Sequence, residues 1–277
     1  MDGPLGLNSS ALLAEWKRRV EANNAQAERF REVPERPDFY APVAAQFKAD
    51  PRRTDEPALD VLRSLVVPGE TWLDIGAGGG RYALPLALAG AKVIALDPSP
   101  GMLEVLRDAA TEFGVEGVET VASRWPMAGA PRSDVCLISH VGYDIAEVGP
   151  FLDAMESASD RICVAVLLGE APATQAAGLW PAVHGEARVL LPALAEFLTL
   201  LLARGKLFSV WLGDRRPMAY PSLEAIEGFV RMQLFIEPDS PRIESMREAI
   251  RAQVRERDGR FMLTDRPAVL GVVTWKP

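Results

Sequence analysis

Between Ala11 and Phe30, the apolar residues Leu13, Trp16, Val20, Ala27 and Phe30 recur at helical spacing among charged neighbours. With Ser9 and Ser10 as candidate caps, they predict an amphipathic N-terminal helix. The following VPERPDFYAPVAAQFKADPRRTDEP is dense in proline and charge and reads as a connector with one helical turn around Val43 to Phe47. Helical spacing resumes at PALDVLRSL. From Thr71 the period changes to short β-branched runs: TWLDI, AKVIALD, VETVA, SDVCLIS, RICVAVLL, LFSVWL and VLGVVTW. Helical stretches such as RYALPLALAG and GMLEVLRDAATEFG separate the early ones. Alternating β and α predicts an α/β fold with a mostly parallel sheet covered on both faces.

Two stretches interrupt the alternation. GEAPATQAAGLWPAVHGEAR precedes a helix expected over Pro192–Arg204, opened by proline and stopped by Gly205. After LFSVWL, two helices are expected, the second opened by Ser240 and Pro241 and striped by Ile243, Met246, Ile250 and Val254. The expected organisation is an N-terminal helical cap and connector over residues 1–60 and a binding domain over 61–277. Cap insertions are expected within that domain at about 169–191 and 214–262.

Composition narrows the class. A chain of 277 residues, 48% hydrophobic with mean hydropathy +0.04, buries a sizeable core, and its longest apolar run, Val189–Ala203, is broken by Pro192 and Glu196. No signal segment is visible, so the expected location is cytoplasmic, away from membranes. The two cysteines, Cys136 and Cys163, each lie in an apolar run and read as reduced core thiols, with no metal centre expected. A net charge of −8 with scattered basic residues argues against a nucleic-acid partner. The oligomeric state is not legible.

The chemistry-bearing stretch is TWLDIGAGGGRYALPLA. Asp74, Gly76, Gly78 and Gly80 alternate behind a strand and open a helix, where an open α/β sheet binds ligands with backbone amides. Arg81 stands where the dinucleotide fingerprint requires its third glycine. Asp97 ends the second strand 21 positions after Gly76, where a carboxylate can accept both hydroxyls of a ribose, a spacing that suits NAD or S-adenosylmethionine. Together these residues resemble the first two motifs of class I methyltransferases that use S-adenosylmethionine (SAM), and Thr71 to Leu168 follows the order of elements in that family. More narrowly, GAGGGRYALPLA with WPAVHGE is similar to a bacterial group of these enzymes whose substrate is unassigned.

The resemblance implies a Rossmann-like, seven-stranded sheet whose last strand runs antiparallel between the fifth and sixth. It implies SAM as cofactor, with Asp74, Gly76, Ala77 and Gly78 at the methionine end, Asp97, Pro98, Ser99 and Met102 around the ribose and adenine, and Tyr82 and Ser139 in the same shell. Ser123 stands where the family often places an adenine-binding acid; the Arg124 backbone and the Trp125 ring are the remaining adenine candidates. The reaction implied is methyl transfer to an O, N or C nucleophile on a small molecule. His140, just past the fourth strand, is the first candidate base, on the premise of an ordinary pKa near 6.5. Tyr143 would orient the substrate or the imidazole, and His184 would reach in from the first insertion. The competing readings are an NAD-dependent oxidoreductase and a SAM-binding regulatory protein without catalysis.

Overall fold

Each of the seven apolar runs forms a strand of one sheet: β1 (Thr71–Ile75), β2 (Lys92–Asp97), β3 (Val118–Ala122), β4 (Ser133–Ser139), β5 (Ser159–Leu168), β6 (Phe208–Arg215) and β9 (Ala268–Trp275). The computed structural model describes residues 6–34 and 48–277, so the turn expected around Val43 to Phe47 lies outside the described residues. A short hairpin that the sequence pattern did not predict, β7 (Arg255–Arg257) and β8 (Arg260–Met262), precedes β9. The strand order is β3-β2-β1-β4-β5-β9-β6, with β9 antiparallel to both neighbours and every other pairing parallel. The sheet reverses order at β1, and the carboxyl ends of β1, β2, β4, β5 and β6 share one edge. A wholly parallel dehydrogenase sheet is thereby excluded.

Helices cover both faces because both faces are apolar. In β1, Leu73 and Ile75 join a core with α5 (Val148–Ala158), α7 (Leu194–Ala203) and Trp16 and Val20 of α1 (Ser9–Phe30). Trp72 faces the opposite way, into a core with α2 (Pro57–Leu65), α3 (Ala83–Leu88) and α4 (Pro100–Phe113). Cys136 and Cys163 sit side by side in register on β4 and β5, buried and reduced, and burial pushes their thiols up to about 11 and about 12. The expected boundary between residues 60 and 61 falls inside α2.

A third, smaller core joins the insertions. Trp180 and Val183 of α6 (Trp180–His184) pack with Ile226 and Val230 of α8 (Leu223–Gln233) and Met246 and Ile250 of α9 (Ile243–Gln253), with Phe30 of α1 against them. Arg188 ties α1 to the first insertion: it donates to Asn23 O (2.8 Å), Asn23 Oδ1 (2.7 Å) and Gln26 Oε1 (2.9 Å) and lies over the Trp180 ring. Both insertions leave from the carboxyl edge, after β5 and after β6.

Three expected helix starts move. Asn8 caps α1, accepting from the Ala11 amide at 2.9 Å, and Ser9 and Ser10 are already helical. The seventh helix begins at Leu194 behind Ala193, two residues after Pro192, because Glu196 accepts the Ala193 amide. Ser240 lies before α9, where its hydroxyl donates to Glu32 and accepts from the Arg242 amide. No described helix is long and apolar enough to cross a membrane.

Candidate functional site

The loop after β1 is held against β2 by two backbone bonds and one bond to the Asp97 carboxylate. The amides of Gly76 (2.7 Å) and Ala77 (3.1 Å) both donate to Leu96 O, and Gly78 N donates to Asp97 Oδ2 at 2.9 Å. All three glycines are in the left-handed region, at φ +77°, +52° and +82°, which L side chains rarely adopt. Ligand space was the expected reason for glycine, and for two of the three the protein itself supplies another. A Cβ on Gly76 would lie 2.5 Å from Val141 Cγ2, and one on Gly80 would lie 2.8 Å from Leu106 Cγ of α4. A Cβ on Gly78 would meet only Met102 Cε, the far end of a flexible side chain, at 3.2 Å. Gly80 therefore serves helix packing, and Gly78 leaves the loop surface bare.

Asp97 organises the next turn. Its Oδ1 accepts from Ser99 N at 2.8 Å, and Ser99 Oγ in turn accepts from Met102 N at 3.1 Å, capping α4. Ser123 N donates to Asp97 O at 3.2 Å, which places the third strand's end beside this turn. Asp74 lies one strand away, 1% exposed, and among the described residues its Oδ1 has no hydrogen-bond partner. Burial, with the neighbouring Asp97 charge, pushes its carboxyl up to about 7.

Behind the loop is a cluster that sequence reasoning missed. Glu56 accepts from Tyr82 OH (2.6 Å), Arg81 Nη2 (2.8 Å) and Arg53 Nε (2.8 Å), while Arg53 Nη2 donates to Arg81 O (2.8 Å). Burial works against the Glu56 charge, but these donors hold its pKa below the usual carboxylate value. Tyr82 is accordingly a buried residue with a spoken-for hydroxyl, and burial pushes its phenol up to about 12. Glu56 stands in a charged connector where no spacing marks it out, and Arg81 was the only visible hint.

The candidate catalytic residues separate. His140 sits at the carboxyl edge, with φ +56° and its amide donating to Val166 O at 2.9 Å; its ring lies 6.4 Å from that of Tyr82. The premise of an ordinary imidazole does not hold. Burial lowers its pKa to about 3, and Arg215 and Arg81 add to the effect. The ring is neutral at pH 7, but a weak proton acceptor. Tyr143 is 5% exposed in the main core, and its hydroxyl accepts from Leu168 N at 2.7 Å, so it fastens the end of β5. His184 belongs to the third core: its Nε2 meets Leu234 O at 3.1 Å, and its ring lies 4.4 Å from Trp180 and 4.5 Å from Phe30. Desolvation lowers its pKa, and the contact to Leu234 O assigns the proton to Nε2. Both residues are held by structural contacts.

Of the remaining candidates, Ser99 and Met102 are buried at the Asp97 turn, Pro98 and Arg124 are exposed, and Ser123 and Ser139 are half-buried. Trp125 donates from Nε1 to Phe151 O at 3.2 Å, which fixes its ring against α5. Asp74, Gly78, Asp97, Ser99 and Met102 are thus gathered at the carboxyl ends of β1 and β2, with Tyr82 and His140 toward β4.

Comparison with known proteins gives this geometry a context. A family model described as a methyltransferase domain matches residues 73–157. A ubiquinone biosynthesis O-methyltransferase from Azorhizobium caulinodans is 41% identical over 81 residues, 29% of this chain and 32% of that protein. The chain spans about a third of the length of the curated relatives it matches. A SAM-dependent methyltransferase from Thiobacillus denitrificans, solved in complex with S-adenosyl-L-homocysteine, superposes with a TM-score of 0.55 at 17% identity, covering 88% of this chain and 99% of that one. Magnesium protoporphyrin IX methyltransferase from Synechocystis PCC 6803 gives 0.51 at 14% identity over 96% and 100% of the two chains. Residues 73–157 are therefore a methyltransferase domain, carried on the Rossmann-like fold of the class I methyltransferases.

Proposed function

We propose that the chain is a SAM-dependent methyltransferase acting on an O, N or C nucleophile of a small molecule. The observation that carries this reading is the unpartnered Asp74 Oδ1, 1% exposed at the end of β1 beneath the glycine loop. A buried carboxylate oxygen without a donor costs free energy, and an ammonium group from a ligand would remove that cost. Asp97 stands at the end of the neighbouring strand for the ribose hydroxyls, and Met102 lines the bare face of Gly78. Bound SAM would supply a methyl group on a sulfonium leaving group. The protein's task is then to align a nucleophile over the ends of β1 and β4 and to exclude water. His140 would assist as a neutral hydrogen-bonding group there, since its lowered pKa makes it a poor base. The helices joined in the third core, with α1, would form the cap, because both insertions leave from the carboxyl edge.

S-adenosylhomocysteine should raise the melting temperature of the protein, since a ligand that binds only the native state stabilises it by mass action. Asp97→Ala should remove most of that rise. Stabilisation by NADH with none by S-adenosylhomocysteine would reject the proposal.

A further inference from the structure

Arg215 ends β6 at the same edge as the glycine loop, and it is half-buried. Its backbone pairs with Ala268 of β9, but among the described residues its side chain makes no hydrogen bond or ion pair. The other cations near the site are committed: Arg81 and Arg53 both bond to Glu56. Arg216 is exposed to solvent. Arg215 alternates onto the same face of β6 as Trp211, which packs with the α2 and α3 core. The Trp211 ring lies so close along Gly213 that a Cβ there would meet it at 2.2 Å, so the last side chain of that row is Arg215 at the edge. Among the charged groups acting on the His140 imidazole, Arg215 ranks ahead of Arg81 and Glu56, and it acts on Tyr143 as well. In a chain of net charge −8, this spot carries uncompensated positive charge.

Position distinguishes it from the cofactor's ground. The glycine loop and Asp97 follow β1 and β2, whereas β6 lies four strand intervals from β1, about 19 Å along the sheet. Between them stands β4, with His140 at its end. A charged group beyond β4 faces whatever lies opposite the methyl donor.

We propose that Arg215 determines specificity in the methyl-acceptor site and that the acceptor is a small molecule bearing a carboxylate. The guanidinium fork would hold the two oxygens while the atom to be methylated lies over the end of β4. This rests on the methyltransferase reading above. A carboxylate fits better than a phosphate ester because one planar guanidinium matches two carboxylate oxygens, while a dianion calls for more cations than the committed Arg81 and Arg53 leave available.

The chain has only two histidines, so their ring resonances report on this site without an identified acceptor. With the protein saturated by S-adenosylhomocysteine at pH 7, acetate is the probe and acetamide its neutral counterpart. Acetate should produce a saturable shift of the His140 ring signals, leave His184 unmoved, and bind at least tenfold more weakly to Arg215→Gln. Arg215→Lys, which keeps the charge and loses the fork, should be intermediate. Circular dichroism would establish that both variants fold, and their affinity for S-adenosylhomocysteine should equal that of the wild type. A His140 shift with acetamide, an acetate response unchanged in Arg215→Gln, or no response at all would overturn the proposal. Inorganic phosphate binding tenfold more tightly than acetate would also overturn it, in favour of a phosphate ester. A loss of S-adenosylhomocysteine affinity in Arg215→Gln would move the residue to the cofactor site. Failure of the wild type to bind S-adenosylhomocysteine would instead strike the methyltransferase reading, while the acetate response in its absence would still decide the role of Arg215.

Discussion

Asp74→Asn should make the ligand-free protein more stable at alkaline pH and less able to bind its ligand. The Asp74 carboxyl rises from its ordinary 3.8 to about 7 on folding, so between those values the native state holds a proton that the unfolded chain has released. Stability then falls as pH rises through that window, and by pH 8 the loss attributable to this one group is about 4 kcal/mol. Asparagine has nearly the same shape and no titration. The difference in unfolding free energy between variant and wild type should therefore move in the variant's favour by about 2 kcal/mol from pH 5.5 to pH 8, or roughly 4–8 °C in melting temperature for a chain of this size. Urea unfolding at a series of pH values measures it. Binding should show the mirror image: if an ammonium group meets Asp74, ligand binding favours the carboxylate form. Wild-type affinity for S-adenosylhomocysteine should then climb as pH rises to about 7 and level off above, and Asp74→Asn should lose both the affinity and the climb. A stability gap independent of pH, or a variant less stable than wild type at pH 8 than at pH 5.5, would refute the reasoning.

Gly80→Ala forces a Cβ to 2.8 Å from Leu106 Cγ at φ +82°, so backbone strain and overpacking together should cost about 2–4 kcal/mol, read by urea denaturation; a cost below about 0.5 kcal/mol would contradict the packing role. Tyr143→Phe leaves the buried Leu168 N–H without its acceptor and should lower stability by about 1–3 kcal/mol while S-adenosylhomocysteine affinity is unchanged; an affinity loss without destabilisation would return Tyr143 to the site. His140→Asn should fold, because asparagine tolerates the left-handed backbone at φ +56°, and the pH–rate profile between pH 5.5 and 9 should keep its shape. Disappearance of an acidic limb in that variant would make His140 the base after all.

The sheet was legible because its signal is periodic and local. Each of the seven apolar runs became a strand, and the resemblance of Asp74 to Gly80 supplied the antiparallel placement of β9 that periodicity cannot give. Helix starts were less legible, since caps are decided by one side chain: Asn8 outcompetes two adjacent serines only because its Oδ1 reaches the Ala11 amide. The β7–β8 hairpin was invisible because RER and RFM lack the alternating apolar face that marks a strand. At the site, motif residues with fixed spacing, Asp74 through Gly80 and Asp97, fell together. Residues nominated by chemistry alone did not: Tyr143 and His184 have reactive side chains, but Leu168 N engages the Tyr143 hydroxyl and Leu234 O engages His184 Nε2. Glu56 shows the converse, since its place in the structure arises from bonds to Arg81 and Tyr82, 25 and 26 residues away, which no local spacing marks.

Charge is graded along the carboxyl edge. At the β1–β2 end, burial and the neighbouring Asp97 charge disfavour ionisation of Asp74, a tension that a cation would relieve. In the middle, His140 is kept neutral by burial. At the β6 end stands an arginine without a counter-ion. A cationic methyl donor and an anionic acceptor would each be drawn to its own end, and their reactive atoms would meet over the neutral middle. The field that orients them is built into strand order, because β1 and β6 cannot exchange places without undoing the antiparallel insertion of β9. Reversing the sign at one end, by Arg215→Glu, should therefore leave S-adenosylhomocysteine affinity intact and abolish acetate binding, whereas a general loss of both would mean that the two ends are not separate sites.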